Sequence, residues 1–377
     1  MTIAIDFVGT NIESGTKTYN INFCNELSLI DLNEDIIVYL CNNYFKQIDL
    51  SKKKNSRIKF IVKPNFFANI FFRLLWMQFF LPFDLKIKGV RKLYSPMNFC
   101  PIFSKFFNIK IVLALHSNLP WIFFNLMPGN FLRNIITKKM MELSIFAAEI
   151  LIVNSYFAKE EISSLLNIPK NKIKVIYLGV DKKYLSNECS KNYLNNYDYN
   201  QKYILSVLSC VKYHNILNLL KAFNLLIKET KLEINFVLVL QILDKNYYKI
   251  LKSYIQKNFK ENKVIIKSNV ESKYLPNLYK YSQLYVFTSY CEVFGLTSLE
   301  AMSQGCPILI SRTSVLPEIN SDAADYFNPD DILEIKNKFK KILIDDDFKN
   351  NLILNGSKHH KKFNWSKNVL ETINIIT

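Results

Sequence analysis

Twelve short apolar segments, rich in β-branched residues, alternate with stretches of helical period along the chain. In the first half they are residues 3–8, 36–41, 58–62, 92–95, 111–115, 150–153 and 174–177. In the second half they are residues 203–208, 235–240, 263–267, 283–288 and 307–311. Strands that are apolar on both faces must be covered on both sides, which reads as parallel sheets sandwiched between helices. The length of 377 residues exceeds what one core usually fills, so two doubly wound α/β domains of Rossmann-like type are expected. A polar, Asn-rich stretch at residues 181–201 separates the strand-rich halves and reads as a linker or surface excursion. This puts a first domain at 1–180 and a second from 181 onwards, with a ligand expected in a cleft at the carboxyl ends of the strands.

Charge narrows the partners. The chain carries 49 Lys plus Arg against 32 Asp plus Glu, a net +17, yet only Arg57, Arg73, Arg91, Arg133 and Arg312 are arginine. A surface built to grip phosphate backbones favours the planar guanidinium, so no nucleic-acid partner is expected. The excess is concentrated instead: residues 51–92 hold eleven cations and one anion, Asp84. That window includes Lys52, Lys53, Lys54, Arg57, Lys59, Lys63, Lys86, Lys88, Arg91 and Lys92, and it encloses the apolar run FFANIFFRLLWMQFFLPF at residues 66–83. Asn69, Arg73, Gln78 and Pro82 interrupt the run, which makes it a poor membrane span and a better buried or interfacial helix. An apolar face rimmed by cations fits docking on an anionic membrane surface; packing of residues 74–81 against the sheet is the competing reading.

Seven cysteines at positions 24, 41, 100, 189, 210, 291 and 306 are scattered and contain no Cys-x-x-Cys pair. Buried reduced thiols are therefore expected, with neither a disulfide framework nor a zinc site. The N-terminal residues MTIAIDFVGT carry no basic leader and no cleavage site, so a cytoplasmic protein is expected, peripheral on the inner membrane face if the basic window docks.

The strongest chemical signal is SYCEVFGLTSLEAMSQGCP at residues 289–307. A strand ends, a loop with Glu292 and Gly295 follows, and Thr297 is placed to cap a helix carrying Glu300. Backbone N–H groups at a helix start beside a glycine form an anion site that suits phosphate. Two carboxylates there would repel phosphate but would accept hydrogen bonds from the paired hydroxyls of a ribose or a sugar ring. Phosphate with two diols describes a nucleotide sugar; a plain turn with two solvated glutamates is the alternative.

The spacing of Glu292 and Glu300, and the run EVFGLTSLEAMSQGCPIL that contains them, closely resemble the family 4 retaining glycosyltransferases. Further similarity runs through SYFAKEEISSLLNIPKNKIKVIYLGVD (155–181), YILSVLSCVKYHNILNLLKAF (203–223), LPEINSDAADYFNP (316–329) and FNWSKNVLETI (363–373). The resemblance implies a GT-B fold, two Rossmann-like domains facing each other across a cleft, with the acceptor on residues 1–180 and the donor on 181–360. It also implies a helix at 361–377 returning towards the first domain, anchored by Trp365. Carried over, Glu300 would hold the nucleotide ribose, Glu292 the donor sugar, and Phe294, Gly295, Leu296 and Thr297 the diphosphate and sugar. Gly15 and Thr16 would form the glycine-containing loop near the phosphates, with Lys17 adding charge, and His116, at a strand's carboxyl end, would contact the donor sugar.

The chain departs from the pattern after the first strand of the second domain. Ser209 and His214 stand where the family has an Arg and a Lys that reach the diphosphate, while Asn215 is retained. Lys212, or His214 when protonated, is the expected substitute. His359 and His360, among Lys358, Lys361 and Lys362, read as a solvated face.

The resemblance implies transfer of a hexosyl group, such as mannosyl or glucosyl, from a GDP- or UDP-linked sugar to a glycan or lipid-linked acceptor. The anomeric configuration would be kept, with no metal and no other cofactor, in cell-surface polysaccharide or lipopolysaccharide assembly. A catalytically weak GT-B homologue acting as a binding subunit, and a GT-B nucleotide-sugar epimerase, are the alternatives; the pattern from Glu292 to Glu300 speaks against the second.

Overall fold

The computed structural model describes residues 2–9, 15–51, 55–127, 129–185, 201–268 and 270–377. Among the described residues thirteen strands form two sheets, all parallel. The first contains β1 (Thr2–Phe7), β2 (Asp35–Cys41), β3 (Ile58–Lys63), β4 (Lys92–Ser95), β5 (Lys110–Leu115), β6 (Ile150–Val153) and β7 (Ile173–Val175), in the order β3-β2-β1-β4-β5-β6-β7. The second contains β8 (Tyr203–Cys210), β9 (Asn235–Ile242), β10 (Val264–Ser268), β11 (Leu284–Phe287), β12 (Ile308–Ser311) and β13 (Asp325–Phe327), in the order β10-β9-β8-β11-β12-β13. Both orders reverse direction beside their first strand, which leaves a crevice between β1 and β4 and another between β8 and β11. Twelve strands lie where the apolar segments predict them; β13 escapes notice because three residues, one of them Asp325, carry too little pattern.

The chain divides into two units. The first is Met1–Ile122 with Gly129–Gly179 and Asn364–Thr377, and the second is Phe123–Pro128 with Val180–Phe363. The first unit thus includes residues 364–377 and gives up residues 123–128, so it is not a single continuous stretch.

The helix Trp365–Ile376 closes the first unit. Asn364 caps it by accepting from Ser366 N at 2.7 Å. Asn368 Nδ2 donates to Tyr177 O at 2.8 Å, Ser366 Oγ to Glu26 Oε2 at 2.5 Å, and the Trp365 ring meets Tyr19 edge-on at 5.4 Å. Gly179 makes this fit possible: a Cβ there would stand 2.3 Å from Trp365 N and 2.7 Å from the Asn364 carbonyl carbon.

The apolar run folds as successive helical turns, Ile70–Leu75, a π-turn at Trp76–Phe80 and Leu81–Ile87, with Asn69 capping the start. Its polarity is inverted relative to a simple amphipathic helix. Arg73, Trp76, Gln78, Leu81 and Leu85 are buried, whereas Phe71, Phe72, Phe79, Phe80, Phe83 and Ile87 are exposed. Gln78 earns its buried place by bonding both ways, Nε2 to Cys100 O at 3.0 Å and Oε1 from Ile102 N at 2.9 Å. One face packs on the sheet, as the competing reading expects, with the Trp76 ring 5.9 Å from that of Tyr39, and the other face is apolar and exposed. No helix among the described residues is long and apolar enough to cross a membrane. Lys52, Lys53 and Lys54 lie outside the described residues.

Six cysteines, at 24, 41, 100, 210, 291 and 306, are buried and none forms a disulfide; Cys189 lies outside the described residues. His359 corrects the expectation of a solvated face: it is buried, Nε2 lies 2.7 Å from Ile319 O, and the ring packs on Phe363 at 5.5 Å.

Gly179→Ala is expected to lower stability by about 1–3 kcal/mol, because the obstructing atoms are backbone and cannot step aside. Urea denaturation of the full chain checks this; an unchanged midpoint would show that the closing helix does not depend on that contact.

Candidate functional site

In the second unit the loops leaving β8 and β11 emerge on either side of its crevice and are tied together by Tyr290 N donating to Tyr213 O at 2.8 Å. Ser209 stands at the end of β8 and the loop after it carries Lys212, His214 and Asn215; the second loop carries Glu292, Phe294 and Gly295 and runs into the helix Leu296–Ser303. Gly295 is the N-cap, at φ 82° and ψ 48°. This left-handed conformation suits glycine, and a Cβ would also press to 2.8 Å from Leu316 Cδ2. The cap is therefore Gly295 and not Thr297, which sits in the first turn with its Oγ1 buried. No side chain caps this helix start, which leaves it suited to an anion.

Glu292 is part-exposed and fixed at its backbone, where N donates to Ser314 Oγ at 3.1 Å and O accepts from the same hydroxyl at 2.6 Å. Its Oε1 lies 3.2 Å from His214 Nε2, and His214 Nδ1 lies 2.7 Å from Ser209 O. Both ring nitrogens of His214 are thus engaged, whereas Lys212 is exposed. Asn215 takes a left-handed conformation at φ 47° and donates Nδ2 to Pro329 O at 2.7 Å, which pins the β8 loop. The Phe294 ring packs edge-on against Phe363 at 5.8 Å, leaving its backbone as the part that faces the loop.

Glu300 is buried one turn into the helix. Tyr279 donates its hydroxyl to Oε2 at 3.1 Å, the Tyr184 hydroxyl is a second donor, and Lys183 is the nearest cation. Burial outweighs these and pushes the carboxyl up to about 7. Tyr184 itself is held by Ser303 Oγ donating to its carbonyl at 3.1 Å and by Gln304. Sequence reasoning missed Lys183, Tyr184 and Tyr279. The first two lie at the start of the stretch read as a surface excursion, yet Tyr184 is buried; the rest of that stretch, 186–200, lies outside the described residues. The aromatic content of KKY was the available signal.

The remaining candidates belong to the first unit. Gly15 opens the helix Gly15–Leu27, followed by Thr16; a Cβ on Gly15 would meet nothing within 4 Å, so packing does not require a glycine there. The same helix brings Tyr19 to 4.6 Å from the His116 ring. His116 N donates to Asn98 Oδ1 at 2.5 Å, and Nδ1 lies 3.0 Å from Asn154 Nδ2. Since an amide nitrogen donates, Nδ1 accepts and the ring proton sits on Nε2, near the Pro96 carbonyl but in no hydrogen bond of good geometry. Burial holds the ring down at about 4, so His116 is neutral, with its proton on Nε2. Asn98 and Asn154, which orient it, had no sequence signal.

Residues 194–359 match the family model described as glycosyl transferases group 1. The chain carries a group 1 glycosyltransferase domain. It is 29% identical over 241 residues to O-antigen chain mannosyltransferase B of Escherichia coli, covering 63% of this chain and 62% of that protein. It is 24% identical over 257 residues to O-antigen chain mannosyltransferase RfbU of Salmonella typhimurium, covering 63% and 66%. The matched region spans less than two thirds of either relative. The crystal structure of Anabaena HepE in complex with UDP-glucose aligns over 100% of both chains with a TM-score of 0.75 at 16% identity. Two parallel Rossmann-like sheets with this likeness are a GT-B fold.

The folded protein binds Glu300's proton more tightly than the unfolded chain, so unliganded stability falls as pH rises from about 4.5 to about 7. Glu300→Gln removes that penalty while keeping an acceptor for Tyr279. It is expected to be more stable than the wild type above pH 7 by about 3 kcal/mol, read by urea denaturation at pH 5 and pH 8; an equal or lower midpoint at pH 8 would refute the buried charge.

Proposed function

We propose that the protein is a retaining hexosyltransferase that moves a mannosyl group from a nucleotide diphosphate sugar to an acceptor hydroxyl. The observation that carries this reading is the buried Glu300 carboxylate at the foot of an uncapped helix start. A buried carboxylate is costly unless a ligand repays it, and a ribose diol offers two hydroxyl donors to its two oxygens. The adjoining helix start accommodates the diphosphate, with exposed Lys212 as the mobile cation. Support for mannose comes from the two O-antigen relatives, and for a nucleotide-sugar donor from HepE with its UDP-glucose.

In the reaction, Glu292 engages the donor sugar and the neutral His116 donates through Nε2 to a sugar oxygen. A front-side route, in which the leaving phosphate oxygen takes the acceptor proton, needs positioning and charge support more than a protein nucleophile. No metal is required: Lys212 and the helix start face the developing charge. A thermal-shift panel of GDP-mannose, UDP-glucose, GDP and UDP tests the donor. GDP-mannose at about a hundredfold its dissociation constant should stabilise by about 2.7 kcal/mol, and Glu300→Gln should abolish that gain. If no nucleotide or nucleotide sugar shifts the wild type, the reading fails.

The acceptor is lipid-linked on this reading, met at an anionic leaflet on the inner face of the cytoplasmic membrane. Phe71, Phe80 and Phe83 are about three-fifths exposed and Phe106 is 83% exposed. Phe79 reaches Phe103 at 5.8 Å and Phe83 reaches Phe107 at 4.9 Å, so the apolar surface continues onto the turn Ile102–Phe107. Exposed Arg57, Lys59, Lys86, Arg91 and Lys105 are cations of this same region. Phe80→Ser with Phe83→Ser and Phe106→Ser should lose flotation with phosphatidylglycerol vesicles, and high salt should weaken the wild type. Equal flotation of the triple variant would overturn the docking surface.

A further inference from the structure

The contacts of His214 fix how many protons its site holds. A carbonyl oxygen can only accept, so Nδ1, 2.7 Å from Ser209 O, carries a proton. Nε2 lies 3.2 Å from Glu292 Oε1, where two lone pairs would repel, so a second proton stands between them. Of the two groups an imidazole is the stronger base, by about two pK units in water, so the shared proton is assigned to the ring.

We propose that His214 is a doubly protonated imidazolium, ion-paired with Glu292, and that it acts as a positioning residue. It holds Oε1 so that Oε2 faces the donor sugar; this role rests on the donor-site reading above. The ring is buried and enclosed by Tyr213 at 4.6 Å and Phe287 at 5.8 Å, which keeps it from swinging out to a phosphate. Of the titratable groups facing it, Tyr213 from its own turn and Glu292 from the β11 loop, Glu292 alone is bonded to the ring among the described residues. The positive charge that the family keeps on a free lysine is here locked into a charge-assisted hydrogen bond. Lys212 is left as the cation of this loop able to reach the diphosphate.

The test is nitrogen-15 NMR of the full chain with labelled histidine, the His214 signals assigned by their loss in His214→Gln. Both ring nitrogens should be protonated in the wild type at pH 7, and Glu292→Gln should convert the ring to a neutral form protonated on Nδ1. A neutral ring in the wild type overturns the proposal, whatever the enzyme transfers. The second readout is mannosyl transfer from GDP-mannose. His214→Gln should lower kcat about a hundredfold through misplacement of Glu292, with KM for the donor nearly unchanged. A protonated ring in a protein that transfers no sugar from any nucleotide donor would sink the functional reading and leave the ion pair standing. Equal kcat in wild type and His214→Gln would overturn the positioning role.

Discussion

Every strand of both sheets runs parallel to its neighbours, and that single constraint decides where chemistry can be placed. With all amino ends at one edge and all carboxyl ends at the other, the loops after β8 and β11 must leave together, on the two sides of the point where strand order reverses. Ser209 to Asn215 and Glu292 to Gly295 are distant in sequence, yet the backbone bond between Tyr290 and Tyr213 joins them. In the first unit the same rule places His116 just beyond β5, and the helix entered after β1 brings Tyr19 against it. The sheets need their helices for a related reason: apolar on both faces, they are stable only when covered.

Within that frame the second unit spends stability on a charge. Glu300 is taken out of water, and the hydroxyl of Tyr279 offsets only part of the cost, as its raised affinity for a proton shows. The His214 and Glu292 pair is arranged differently, because Glu292 keeps part of its side chain in water while the ring is buried. One carboxylate is buried against a tyrosine hydroxyl; the other keeps a fifth of its side chain exposed beside a buried ring. Each depends on residues from separate loops, which is why neither could function in an isolated peptide.

Much of this architecture was legible before the structure. Twelve of thirteen strands, the doubly wound class and the strand–loop–helix course of the segment from Glu292 to Glu300 follow from apolar runs, loop chemistry and a closely matching motif, all of which are local in sequence. What was illegible depends on partners far along the chain. Tyr184 sits in a polar stretch and looked solvent-facing, but it packs beside Tyr279 and Glu300, nearly a hundred or more residues away. His359 looked like part of a charged surface, but Ile319 O and Phe363 enclose it. The run at 66–83 carried another ambiguity, packing against the sheet or an apolar face turned outward, and the fold buries Arg73 and Gln78 while leaving several of its phenylalanines exposed.

The sequence by itself determined the layer architecture and the residue types available at the loops, since strand pattern, glycine placement and the two glutamates are properties of short segments. Only the tertiary structure decided how those residues are used. It set which nitrogen of His116 carries the proton, that both nitrogens of His214 are occupied, that Glu300 is held by tyrosines, and that the phenylalanines of the 66–83 run face outward. The physical reason is that hydrogen-bond partners and desolvation are supplied by whatever the fold brings near, and proximity across parallel strands is not written in any local stretch of the chain.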